Sequence, residues 1–119
     1  MYYFKNLTPD SPTIILDSHS KTGLIKGKAT CNDQTTYKAV YHDISEYCEK
    51  HLIENFSINL EIFNVKMAKA LIDLIKVLNK GTKQAPKIHW IYSKKDVEMK
   101  QMGRYYSRLL NIEFHFMEN

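Results

Sequence analysis

The chain has 119 residues, 44% of them hydrophobic and 25% charged, a composition that excludes disordered and fibrous proteins and fits one globular domain. No apolar run approaches the about 20 residues of a membrane-spanning helix, and the first residues lack the layout of a signal peptide, so we expect a cytoplasmic protein. The formal net charge of +4 is concentrated in residues 60–119, which permits an acidic partner, but the lysines are spaced rather than clustered, which argues against nucleic acid.

The first half of the chain predicts a hairpin followed by a helix. Residues 13–17 form a short apolar run after Pro9 and Pro12, and a polar turn separates it from a second strand over 23–28. Gly27 within that strand is typical of a bulge or a close backbone approach. A helix then follows over about 36–52, with Asp33 or Thr35 as its candidate cap and an apolar stripe of Tyr37, Val40, Tyr41, Ile44, Tyr47, Cys48 and Leu52.

The sequence predicts that a strand runs directly into a helix at Asn64. Residues 56–63 alternate between apolar and polar side chains, which predicts a strand, and apolar residues recur at helical spacing over 65–78. Asn64 lies between the two as a natural N-cap, and Gly81 follows the helix where a terminating glycine is expected. A helix that starts at the carboxyl edge of a sheet is a common place for recognition.

The last third predicts a strand, a helix and a strand. Residues 88–92 are rich in aromatic and β-branched side chains, as strands are. Ser93 is the expected cap of a third helix, with Asp96 in the capping-box position. Gly103 inside that helix costs about 1 kcal/mol against alanine, so we expect a close backbone contact there. Residues 112–116 alternate as a final strand.

The predicted order is therefore β-β-α-β-α-β-α-β. Strands separated by whole helices favour right-handed parallel crossovers, and the initial hairpin adds an antiparallel pair. The fold class that follows is α/β, with a mixed sheet of four to five strands and three helices in one domain over residues 1–119.

No motif for catalysis or metal binding stands out. The five histidines form no metal-ligand spacing, although His89 and His115 would be neighbours if their strands pair. Cys31 and Cys48 are expected to be reduced thiols and lie outside any nucleophile elbow. Gly-rich phosphate loops are absent as well. These observations favour a protein that is not an enzyme and that needs no metal or cofactor.

Two features leave room for contact with a partner. The tyrosines at helical spacing, Tyr37, Tyr41 and Tyr47, could form a contact stripe, although packing in the core is the commoner outcome. Lys66 places a cation in the first turn of its helix, which opposes the macrodipole by about 0.3–1 kcal/mol when exposed. Its side chain either extends into water or meets an acidic partner.

With these residues in view, the chain resembles the SiaC family of bacterial regulatory phosphoproteins, whose fold is akin to that of STAS domains and anti-anti-sigma factors. The similarity covers nearly the whole length. The matching residues are Ser11-Pro12-Thr13-Ile14, Asp17, Gly23, Gly27, Phe63-Asn64, Lys69, Trp90-Ile91-Tyr92, Asp96, Met99 and Gly103.

The resemblance implies a non-enzymatic switch that binds and activates a diguanylate cyclase and that a kinase and a phosphatase control. In the family the phosphorylated residue is the threonine of an Asn-Thr-Ser-Ser motif at the strand–helix junction. Here Asn64 matches the asparagine, but Val65 replaces the threonine, and Lys66 and Met67 replace the serines. A segment that usually reads like Ser-x-Pro-Glu-Asn in relatives is replaced by Thr30-Cys31-Asn32-Asp33.

We therefore predict a SiaC-type regulatory module that binds a protein partner, such as a diguanylate cyclase or a kinase-like regulator, without phosphorylation at Val65. The predicted binding residues at the junction are Asn64, Val65, Lys66, Met67 and Lys69. A secondary partner loop is predicted at Thr30, Cys31, Asn32 and Asp33. Thr13 or Thr36 could have taken over as the phosphate acceptor.

The alternative function is a small-molecule or anion-binding domain at the same helix N-terminus. We expect no nucleic acid or membrane partner, and a monomer or weak dimer.

Overall fold

The computed structural model describes residues 2–5, 10–30, 34–80 and 85–119. Pro9, the Cys31–Asp33 part of the predicted partner loop and Gly81 therefore lie outside the described residues. The strands are β1 (Tyr2–Lys5), β2 (Thr13–Asp17), β3 (Thr22–Ala29), β4 (Asn55–Phe63), β5 (Lys87–Tyr92) and β6 (Phe114–Glu118). The helices are α1 (Gln34–Lys50), α2 (Val65–Lys80) and α3 (Val97–Leu110).

The strands form one mixed sheet in the order β1-β2-β3-β4-β5-β6. The first three strands pair antiparallel, and β3 to β6 pair parallel. The predicted α/β class, hairpin, three helices and parallel crossovers are confirmed. The strand number is higher than the predicted four to five because β1 adds an antiparallel edge strand beside β2.

The three crossovers step in the same direction along the sheet, and right-handed connections then place all three helices on one face. The burial pattern of β4 agrees: Phe56, Ile58 and Leu60 are buried beneath the helices, and the polar Ser57 and Asn59 between them are half-buried on the other face. The core thus lies between the sheet and one layer of helices.

Two predicted glycine positions have their expected geometry. Gly27 has φ +99° and lies where the β3–β4 register shifts. A bulge is thus confirmed at this position, with Glu61 of β4 as the extra residue. A Cβ atom on Gly103 would lie 2.5 Å from Cδ1 of the buried Trp90. The indole Nε1 of Trp90 also donates to the carbonyl of Met99 at 2.9 Å. Gly103 therefore lets α3 pack directly on β5.

The start of α3 differs from the prediction. The N-cap is Asp96 rather than Ser93: the Asp96 carboxylate accepts a hydrogen bond from the Met99 N–H at 3.0 Å. The Ser93 carbonyl instead accepts from the Asp96 N–H at 2.8 Å, which closes a turn before the helix. The turn delays the helix by three residues.

Candidate functional site

The junction between β4 and α2 is fixed by its backbone and by one side chain. The Asn64 carboxamide oxygen accepts from the Met67 N–H at 2.9 Å, which confirms the predicted N-cap. The Asn64 carbonyl accepts from the Ala68 N–H at 2.9 Å and begins the helix. The Asn64 N–H donates to the Ala29 carbonyl at 3.2 Å, so the junction is also tied to the end of β3.

The predicted junction residues differ in their access to solvent. Val65 is 85% exposed, and Lys66 and Lys69 are exposed as well. Met67 is only 3% exposed and belongs to the core. Contrary to the expectation, its side chain is not available to a partner, because the third helical position points back under the helix onto the sheet. An apolar residue as exposed as Val65 beside two lysines gives the junction a mixed surface.

Thr30 follows β3 at the same edge of the sheet. Ala29 pairs with Phe63, so the residues that follow them, Thr30 and Asn64, leave the sheet side by side. The Thr30 N–H donates to the Asp10 carbonyl at 2.9 Å, which anchors the chain there. The structure thus brings Thr30 to the predicted junction, and Cys31, Asn32 and Asp33 remain a prediction.

A groove between α1 and α2 extends from the junction, and we call it the lysine groove. It has a volume of about 540 Å³, and its lining residues are Tyr37, Lys38, Tyr41, Lys66, Lys69, Ala70, Asp73, Lys76 and Val77. The α1 side and the α2 side each contribute apolar surface and cations. Among the lining residues that the structure describes, four lysines against one aspartate make the groove electropositive.

Sequence reasoning missed this groove, although part of its signal is in α2. Lys66, Lys69, Asp73 and Lys76 recur at spacings of three and four residues, which puts them on one helix face. The pairing of that face with Tyr37 and Tyr41 of α1 depends on how the two helices pack, which helical periodicity does not define. The tyrosine stripe divides accordingly: Tyr37 and Tyr47 are buried, and Tyr41 is half-buried at the groove.

The histidine pair lies away from the junction, on the sheet face opposite the helices. His89 and His115 pair in register, with ring centroids 5.4 Å apart, which confirms that they are neighbours. His89 Nε2 lies 2.9 Å from the Asn55 carboxamide oxygen. Burial, then the neighbouring His115 and Lys87, lower the pKa of His89. Within the described residues, no three metal-ligating side chains come close enough to hold an ion.

The thiol of Cys48 lies on α1, and desolvation by burial raises its pKa to about 11. A thiol with so high a pKa is protonated at neutral pH and is a poor nucleophile. Among the described part of the chain, no helix is both long and apolar enough to cross a membrane.

Comparison with known proteins agrees with this architecture. The family model described as SiaC family regulatory phosphoprotein matches residues 6–119. The crystal structure of apo-SiaC from Pseudomonas aeruginosa superposes with a TM-score of 0.78 at 16% identity, covering 100% of this chain and 98% of that chain. No curated protein sequence matches the chain significantly.

A second solved structure shows a relative of this fold with a partner. It is the crystal structure of the diguanylate cyclase SiaD in complex with its activator SiaC from Pseudomonas aeruginosa. The match has a TM-score of 0.78 at 15% identity and covers 98% of this chain and 97% of that chain. At such identities the similarity shows the fold alone.

Proposed function

Because this chain belongs to the SiaC family of regulatory phosphoproteins, we propose that it is a non-enzymatic regulator that binds a signalling protein in the cytoplasm. The partner class that we propose is a diguanylate cyclase, by analogy with the SiaD complex of the relative. The binding surface is the β4–α2 junction, with Asn64 as its structural anchor and Val65, Lys66 and Lys69 as its contact residues.

The observation that supports this proposal most is the exposure of Val65. Its side chain is 85% exposed at a position whose backbone is fixed by the Asn64 cap and by the bond to Ala29. A rigid, exposed apolar residue between polar neighbours loses little conformational entropy when a partner covers it. Such a residue is suited to anchor a protein interface.

The proposal includes the loss of phosphorylation at this junction. Asn64, Val65, Lys66 and Met67 carry no hydroxyl group, and a kinase needs one as its acceptor. A phosphate would add nearly two negative charges at a helix start, and here the side chain of Lys66 adds one positive charge. The docking state of this chain is therefore not switched by a phosphate on residues 64–67.

Binding is tested with the purified chain and the diguanylate cyclases of its host. We expect one of them to bind in isothermal titration calorimetry and to synthesise cyclic di-GMP at a changed rate when the chain is present. If no cyclase of the host binds or changes its rate, the proposed partner class is wrong.

Phosphorylation is tested separately by mass spectrometry after incubation with the host kinase that acts on this family. We expect no phosphate on peptides covering residues 64–67, and a phosphate on the same peptide of the Val65→Thr variant. Modification of Thr13 or Thr36 in the unaltered chain would show that the acceptor has moved. Stoichiometric modification of the wild-type junction peptide would contradict the proposal.

The alternative is an anion-binding domain at the same helix terminus, and the lysine groove is the observation that favours it. Its volume of about 540 Å³ lies within the range of small-molecule pockets. The Asn64 oxygen, however, already accepts from the Met67 N–H, so an anion would have to use the lysines. A thermal-shift screen with nucleotides and inorganic phosphate tests this alternative, and the absence of any shift would remove it.

A further inference from the structure

We propose that the lysine groove between α1 and α2 receives an acidic, amphipathic helix of the protein partner. This inference rests on the proposed function and deepens it, because it names the element of the partner that docks. It adds a second contact surface, on α1 and along α2, to the junction at Asn64.

The burial of the lining residues divides the groove into a floor and a rim. Tyr37 is 3% exposed, and the half-buried Tyr41, Ala70 and Val77 extend this apolar surface along both helices. The charged lining residues are all exposed and form the rim: Lys38, Lys66, Lys69, Asp73 and Lys76. An occupant with an apolar face and acidic flanks matches both parts at once.

The length of the groove suits a helix. Its α2 wall runs from Lys66 to Val77, which at a rise of 1.5 Å per residue corresponds to about 16 Å, or three helical turns. A helix of three turns presents apolar residues at spacings of three and four to the floor. Its acidic residues then face the lysines of the rim from either side.

The chemistry of the rim favours a protein segment over nucleic acid. In the described part of the rim the cations are all lysines, and the arginines of the chain, Arg104 and Arg108, belong to α3. Asp73 interrupts the row of lysines on α2, and it would repel a continuous phosphate backbone. In a helical occupant the same carboxylate can pair with one basic residue and so define the register.

The test compares two double charge reversals in binding to the cyclase of the same host. Lys38→Glu with Lys76→Glu alters the rim from both helices without touching the junction residues. Lys94→Glu with Lys95→Glu is the matched control, because both lysines are exposed outside the groove and the net charge changes equally. Circular dichroism and urea denaturation of both variants confirm that they fold.

We expect the groove variant to bind the cyclase about tenfold or more weakly than the control variant, with a smaller dependence of affinity on salt concentration. Equal affinities of the two variants would overturn the inference and leave the proposed function intact. A wild-type chain that binds no cyclase would overturn both.

A photo-crosslinking amino acid at Val77 identifies the occupant, and one at Val97 on α3 is the control. We expect the Val77 probe to crosslink to an acidic helical segment of the cyclase, and the Val97 probe not to do so. Crosslinks to RNA in a host extract would overturn the inference. So would a thermal shift with inorganic phosphate or nucleotides that the groove variant abolishes, without crosslinks to the cyclase.

Discussion

The helices α2 and α3 begin with the same architecture but with opposite charge. Each starts with a capping oxygen, an exposed valine, a charged residue and a buried methionine whose N–H meets the cap. The residues are Asn64, Val65, Lys66 and Met67 in α2, and Asp96, Val97, Glu98 and Met99 in α3. The capping bonds are 2.9 Å and 3.0 Å long.

The two helix starts differ in how well their charges match the helix macrodipole. In α3 the cap is a carboxylate and the next charge is Glu98, and both complement the positive end of the macrodipole. In α2 the cap is neutral and Lys66 opposes the dipole, so this start is less stable than the same backbone allows. A charge that opposes the helix dipole departs from the local rules of helix formation, and such departures are typical of functional positions. Here the departure occurs at the proposed docking surface.

The largest expected effects on stability come from substitutions at the seventh residue of each helix, where α2 and α3 are packed differently. Leu71 of α2 is fully buried, and Gly103 of α3 touches Trp90. Leu71→Ala should lower the free energy of unfolding by about 2–5 kcal/mol, because it leaves a cavity. Gly103→Ala should lower it by about 1–3 kcal/mol for the opposite reason, crowding. Urea denaturation measures both changes.

A double-mutant cycle separates crowding from other effects at Gly103. The contacts that its Cβ would make are to Cδ1, Nε1 and Cε2 of Trp90, atoms of the five-membered ring that phenylalanine lacks. Adding Trp90→Phe to Gly103→Ala should therefore destabilise the protein by less than the sum of the two single changes. Strict additivity would show that crowding against Trp90 is not the cause.

Removal of the capping side chains should have the next largest effect on the free energy of unfolding. Asn64→Ala and Asp96→Ala each remove the acceptor of one methionine N–H, and we expect each to lower the free energy of unfolding by about 1–2 kcal/mol. Asp96→Ala should be the more destabilising, because it also removes a charge that favours the helix dipole. A larger loss for Asn64→Ala in urea denaturation would contradict this account of the two starts.

Much of this fold follows from the sequence, for reasons that particular residues illustrate. The alternation over residues 56–63 and the polar Asn64 were sufficient to predict β4, α2 and the cap, because both elements are amphipathic and long. The four residues of β1 were too few for any periodicity. Ser93 and Asp96 both fit a cap, and only the turn between them decides for Asp96.

The site was less predictable than the fold. The exposure of Val65 and the burial of Met67 depend on the rotation of α2 over the sheet, and the lysine groove depends on the packing of two helices. Local sequence does not define either. The missing hydroxyl at Val65, in contrast, is a property of the sequence alone.

Exchanging the charges of the second residues of α2 and α3 tests the difference between the two helix starts directly. Lys66→Glu should raise the free energy of unfolding by about 0.3–1 kcal/mol, and Glu98→Lys should lower it by a similar amount, because each changes the charge near a helix dipole. Binding of the cyclase should not follow stability: we expect Lys66→Glu to weaken binding and Glu98→Lys to leave it unchanged. Urea denaturation and calorimetry on the same samples provide the two readouts.

The swap discriminates because stability and binding move in opposite directions for Lys66. If Lys66 has no role in docking, its replacement by glutamate stabilises the protein and leaves binding of the cyclase unaltered. That outcome would remove Lys66 from the docking surface, while Val65 and the lysine groove would remain to be tested by their own variants.

The smallest expected effect on stability comes from the two valines. Val65 is 85% exposed and Val97 is 61% exposed, so Val65→Ala and Val97→Ala should each change the free energy of unfolding by less than about 0.5 kcal/mol. Binding of the cyclase should weaken about fivefold for Val65→Ala, which corresponds to about 1 kcal/mol of lost apolar contact. Val97→Ala should bind like the wild type. Val65 and Val97 are each the first residue of a helix with the same capping arrangement. A difference in binding between the two variants therefore shows that the docking surface lies at the start of α2 and not at the start of α3. Equal binding by both variants would mean that the exposed valine of α2 has no role in docking.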